Sequence, residues 1–253
     1  MSNIEEQIIS ESRHQIIYCD DASLREQLFK SVEHQNPIIK NINKPMSVYI
    51  DDLGPQVDKI NNNLDNIKLS SMTREYLYFS ICYEIVNKIK KLELDKKSLD
   101  YFIDRINTLF VQEYNIISLD ELSETLLSSK ETYEKGFINY VQTGTFNFDI
   151  NDMNIPFMDI ESFIKKVKKL INNDSYLCIL LNYEKEISTY SMKSVNNLIA
   201  SRINKNISIK LGTGSKEWKT YYTDNNDHID SVHDYDIIYL DDKKDLGYSK
   251  NML

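Results

Sequence analysis

Residues 176–181 read YLCILL, an unbroken apolar run with no polar position in alternation. A strand with one face in water alternates apolar and polar residues, so this run fits a strand covered on both faces, as in the middle of a parallel sheet. The chain beyond it keeps a strand–helix rhythm. A helix is predicted over Met192–Arg202, then strands over Ile207–Leu211 and Asp236–Leu240. Upstream, a strand over Gln15–Cys19 leads into an amphipathic helix over Ser23–Glu33, with Ser23 as N-cap and Glu26 closing a capping box. A second strand covers Ser47–Ile50. The middle is helical, with helices predicted over Thr73–Lys91, 96–111 and 118–134, and another over Ile160–Ile171. The expected fold is a three-layered α/β domain spanning 1–253, with a parallel sheet and a mainly helical insertion over 70–172.

Charge and cysteine usage narrow the function classes. With 30 basic and 39 acidic residues the formal charge is −9, which repels nucleic acid and anionic lipid unless a local basic patch exists. Cys19, Cys82 and Cys178 are scattered in apolar runs, as buried free thiols of a reducing cytoplasm would be. No segment reads as a signal peptide or a membrane span.

The stretch HQIIYCDDASLREQLFK (14–30) has the strand–loop–helix order of a phosphate-binding loop. Farther on come YLCILLNYEKEIS, SVNNLIASRINKNISIKLGTG and HIDSVHDYDIIYLDD. Together these resemble the core of prokaryotic AAA+ ATPases related to the origin-recognition initiators. In that family a Walker B strand, an Asn-x-Leu-Ile helix, a Gly-Thr sensor turn and a His/Glu-Asp-Tyr element come in this order. The resemblance implies a nucleotide site, and its residues have changed. On the Walker A pattern, Cys19 and Leu24 stand at the glycines, Arg25 at the lysine and Glu26 at the magnesium-binding hydroxyl. The glycines let backbone N–H groups approach phosphates closely, and Asp20, Asp21 and Glu26 would place like charge there. On Walker B, Leu181 and Asn182 replace the two acids, while Glu184 matches the aromatic-Glu element. Thr213 is kept at the sensor turn, with Gly214 next to it. The chain stops soon after the last strand, leaving no lid or winged-helix domain expected.

Other features admit plainer readings. Three strand ends, IIYCDD, SVYIDD and IIYLDD, gather carboxylates. Asp20, Asp21 and Asp51 are the candidates for a divalent metal or a phospho-receiver site, against ordinary turn and capping chemistry. His233-Asp234-Tyr235 lacks a nucleophile and reads as a surface feature. Lys165, Lys166, Lys168 and Lys169 read as a solvated helix face. Trp218 either packs on the sheet or anchors a partner.

The function expected is a catalytically inactive pseudo-ATPase with no cofactor, serving as an assembly or recognition subunit. Its partners would be proteins, an ATPase or nuclease encoded nearby being the class to seek, and anti-phage defence is the setting the resemblance implies. Arg202, Lys216 and Trp218 form the expected partner surface. A rival reading has Arg202 or Lys216 completing a partner's nucleotide site in trans.

Overall fold

A computed structural model describes residues 3–51, 53, 63–109, 115–144, 160–182, 188–200, 206–214, 218 and 220–240. In chain order the elements are α1 (Asn3–Ser10), β1 (His14–Tyr18), α2 (Ala22–Gln35), β2 (Met46–Ile50), α3 (Asn63–Ile89), α4 (Lys96–Asn107), α5 (Leu119–Thr143), α6 (Ile160–Ile171), β3 (Leu177–Asn182), α7 (Thr189–Ala200), β4 (Ile207–Thr213) and β5 (Tyr235–Tyr239). The strands form one sheet in the order β2-β3-β4-β1-β5, and every pairing is parallel. β1, made first, lies between β4 and β5. A receiver-type sheet, of order 2-1-3-4-5, puts the first strand beside the second. The receiver alternative is therefore corrected by topology.

Side-chain alternation builds the layers. Ile16, Val48, Ile179, Leu181 and Ile209 join the core under α3–α7, while Ile17, Tyr49, Cys178, Leu180 and Ile238 join a smaller core under α1 and α2. This is why YLCILL has no polar position: both faces of β3 are covered and all its residues are buried.

The helical segment between β2 and β3 packs through aromatic pairs. Phe79 stacks on Tyr133 at 5.7 Å between centroids, and Tyr76 meets Phe137 edge-on at 6.2 Å. α5 runs on to Thr143 because its stop is Gly144, whose φ of 70° is the left-handed conformation that closes a helix with little strain in glycine.

Two local expectations change. α1 forms from the polar-looking NIEEQIIS and buries Ile8 and Ile9 in the smaller core. The N-cap of α2 is Asp21, not Ser23: Asp21 is extended, and its carboxylate accepts from the Leu24 N–H. Among the described residues no helix is long and apolar enough to cross a membrane.

Candidate functional site

The carboxyl ends of β1, β3 and β4 converge, with Tyr18 beside Thr213 and Asn182 beside Gly212 in the strand register. In open α/β sheets this edge is where ligands bind. The loop Cys19–Asp21 joins β1 to α2, whose first turn points its N–H groups at the same edge. There the protein supplies its own anion: Asp21 Oδ1 accepts from the Leu24 N–H at 3.0 Å. A carboxylate at this position satisfies a donor and the helix dipole together, as a bound phosphate would.

Arg25, one turn into α2, is fully buried. Its Nε donates to Asn182 Oδ1 at 3.3 Å, and its Nη1 donates to the Cys19 carbonyl. Asn182 in turn donates through Nδ2 to the Tyr49 hydroxyl at 3.4 Å. Burial raises the Tyr49 pKa, against the lowering effect of that hydrogen bond. The guanidinium therefore bridges the β1 loop to the end of β3. Guanidinium is always protonated and cannot act as a base, and the described end of β3 presents the Asn182 amide to it.

The other candidates fall around this bridge. Leu24 is half-buried against the smaller core. Glu26, also half-buried, pairs with Lys30 one turn later. Thr213 is buried, and its carbonyl accepts from the Cys19 N–H at 3.0 Å. Asp20, Asp21 and Asp51 are exposed, and the described residues contain no group of three or more acids, histidines or cysteines able to hold a metal. Asp52, Glu184, Asp241 and Asp242 lie outside the described residues.

Tyr49 and Phe29 belong to the site and went unread in the sequence. A tyrosine inside a buried strand and a phenylalanine on a helix face carry no mark of this role. Tyr18 also closes the edge, stacked on Tyr239 at 5.3 Å with its hydroxyl 3.0 Å from that of Tyr221.

The expected partner surface needs correction. Trp218 is buried in the larger core, edge-on to Tyr221 at 6.4 Å. Its ring is not an exposed anchor. Arg202 and Lys216 lie outside the described residues. Asn196 and Asn197 hold residues 220–224: Asn196 Nδ2 donates to the Thr220 and Tyr222 carbonyls at 3.0 and 2.9 Å, and Asn197 pairs with Asp224. His233 is exposed in a turn built by Asp230 and buried Asp234.

A parallel sheet layered by helices, whose first strand, loop and helix deliver a basic side chain to the end of β3, defines an α/β protein with a P-loop, AAA+-like core. The sequence model of the ORC-CDC6-like family matches residues 26–250, and the chain belongs to that family. The relation to origin-recognition AAA+ ATPases expected from the motifs is thereby established. The matched region begins at Glu26, just after the bridging arginine. No curated protein and no solved structure gives a significant match.

Proposed function

We propose that this protein is a pseudo-ATPase, a member of its family that keeps the AAA+-like fold as a recognition or assembly platform and has given up nucleotide hydrolysis. The observation that carries this reading is the Arg25 bridge. Its guanidinium is buried between the Cys19 carbonyl and Asn182, at the junction where a Walker A lysine and a Walker B acid would flank a phosphate. Asp21 caps the helix end that would receive the phosphate. An incoming polyphosphate would meet a filled, self-satisfied junction with Asp20 and Asp21 at its mouth, and like charge there opposes binding.

Loss of hydrolysis leaves the fold useful as a surface for protein partners, among them an ATPase or nuclease encoded nearby, with anti-phage defence the setting we favour. The buried free thiols of Cys19, Cys82 and Cys178 support a reducing, cytoplasmic location.

Phosphate release from ATP with magnesium tests the first part. No turnover above background is expected, and Asn182→Asp with Arg25→Lys should not create it. Turnover abolished by Arg25→Ala or Glu26→Ala would refute the proposal. Copurification with the products of neighbouring genes tests the second part, where a stoichiometric companion is expected and none would count against a platform.

A further inference from the structure

The lysine run on α6 does not form one solvated face. Lys168 turns inward, 8 % exposed, donating to the Asp174 carbonyl and to Asn206 Oδ1 at 2.8 Å. Its neighbours turn toward α4. The two helices pack through Phe102 and Phe163, edge-on at 6.5 Å, and between their outer edges lies a cavity of about 670 Å³. Five cations line it: Lys97 and Arg105 from α4, and Lys165, Lys166 and Lys169 from α6. Lys165 pairs with Glu161 at 2.6 Å. Among the described residues no carboxylate pairs with the other four.

In the middle stands Tyr101, 44 % exposed, with Arg105 5.3 Å and Lys169 4.8 Å from its ring centroid. Lys169 Nζ also donates to its hydroxyl at 3.3 Å. Arg105 most, and then Lys169, hold the Tyr101 pKa below its ordinary value.

Burying the apolar face of α6 does not require this arrangement, since Phe163, Ile164, Val167 and Ile171 already meet the core. Cations gathered with no carboxylate among the described residues pairing four of them repel one another, and local conflicts of this kind concentrate at functional sites. In a chain of formal charge −9, a cationic cavity focuses the field on an anion. Arginine and lysine together grip phosphate oxygens, and an exposed tyrosine offers a ring for stacking. The volume is that of a small-molecule site, and the acidic surface elsewhere disfavours a long polyanion running past the groove.

We infer that the α4–α6 cavity binds a nucleotide-sized organic polyphosphate, with phosphates on Arg105 and the lysines and a planar ring on Tyr101. α6 leads into the amino end of β3, whereas Arg25 sits at the carboxyl end of the sheet, so this site is separate from the Arg25 junction.

The test is titration calorimetry at one fixed ionic strength, with ATP, GTP, inorganic tripolyphosphate and a short oligothymidylate as probes. ATP or GTP should bind at micromolar concentration, about tenfold tighter than tripolyphosphate, since one stacked ring contributes roughly that factor. Arg105→Gln and Lys169→Gln should each weaken nucleotide binding about tenfold, with Lys169→Arg retaining it. Tyr101→Leu should bring the nucleotide down to the level of tripolyphosphate. Equal affinity for tripolyphosphate and nucleotide, binding of the oligothymidylate alone, or binding of no probe would each overturn the inference. So would nucleotide affinity that survives all the cavity substitutions. Because these side chains are on the surface, circular dichroism of each variant should match the wild type. Sensitivity to Glu26→Ala instead would implicate the Arg25 junction, overturning this inference and the pseudo-ATPase reading together.

Discussion

Phe29 Cε2 lies 3.0 Å from the position a Cβ on residue 212 would occupy, so Gly212 in β4 and the second turn of α2 are shaped to each other. Phe29 is fully buried and edge-on to Tyr49 at 6.5 Å, and Arg25 Cδ stands 3.4 Å from the same point. Gly212→Ala should therefore cost about 1–3 kcal/mol by overpacking. That lowers the Tm by about 2–4 °C per kcal/mol in a chain of this size. Adding Phe29→Leu should recover part of the loss. Thermal denaturation of the three proteins decides it, and an alanine variant as stable as wild type would contradict the contact.

Arg25→Ala should destabilise the protein by about 2–4 kcal/mol, since it leaves a cavity and removes the donors to Asn182 and Cys19. In an ATPase with an empty P-loop the corresponding substitution would mainly cost nucleotide binding. Chemical denaturation without ligand separates the two cases: a neutral Arg25→Ala would mean that the bridge is not structural.

Trp218→Ala should cost about 3–5 kcal/mol, the usual penalty for deleting a buried aromatic ring. A pull-down defect in this variant would result from unfolding and would not mark an interface. Loss of binding with an unchanged Tm would restore the partner-surface reading.

Glu75 and His14 give stability opposing dependences on pH. Burial raises the Glu75 pKa from its ordinary 4.5 to about 7, against the pull of Arg74. Between those values the folded state holds the proton more tightly than the unfolded one, so stability falls as pH rises through the window. His14 is lowered from 6.5 to about 4, chiefly by burial with Lys210 adding to it, and its Nδ1 accepts from the Ile209 N–H. There the unfolded state binds the proton first, so stability falls as pH drops from 6.5 toward 4. Glu75→Gln should be more stable than wild type at pH 8, by up to about 3 kcal/mol, and equal to it at pH 4. It should also unmask the acid-side decline from His14. Denaturant midpoints across this range give the measurement, and a constant difference between the two proteins would refute the assignment.

The centre of the sheet was legible because β3 is buried on both faces, which writes the continuous apolar run LCILL into the chain. α6 was legible to the residue, since its apolar stripe and lysines alternate at helical spacing. α1 was not, because Ile8 and Ile9 are its main core contacts in an otherwise polar stretch. Asp21 and Ser23 are both good caps, and only backbone geometry chooses between them. The site itself was half legible. The stretch from Cys19 to Glu26 plainly carries no glycine. That Arg25 reaches Asn182, 157 positions later, is a tertiary contact with no local signature. The α6 lysines failed for a related reason: helical periodicity says which residues leave the core, but not that α4 will face them.

The placement of β1 also dictates when this protein can fold. Its partners are residues 210–213 and 235–239, so β1 waits until β4 is made before either neighbour exists. Contacts so distant in sequence close slowly, because a long loop must be ordered before the pairing rewards it. During synthesis Ile16 and Ile17 leave the ribosome with no sheet to enter, while the packing of α3 on α5 can already form. The nascent chain carries β1 unpaired, with Ile16 and Ile17 uncovered, until β4 appears, and that interval is when a chaperone would matter most to it.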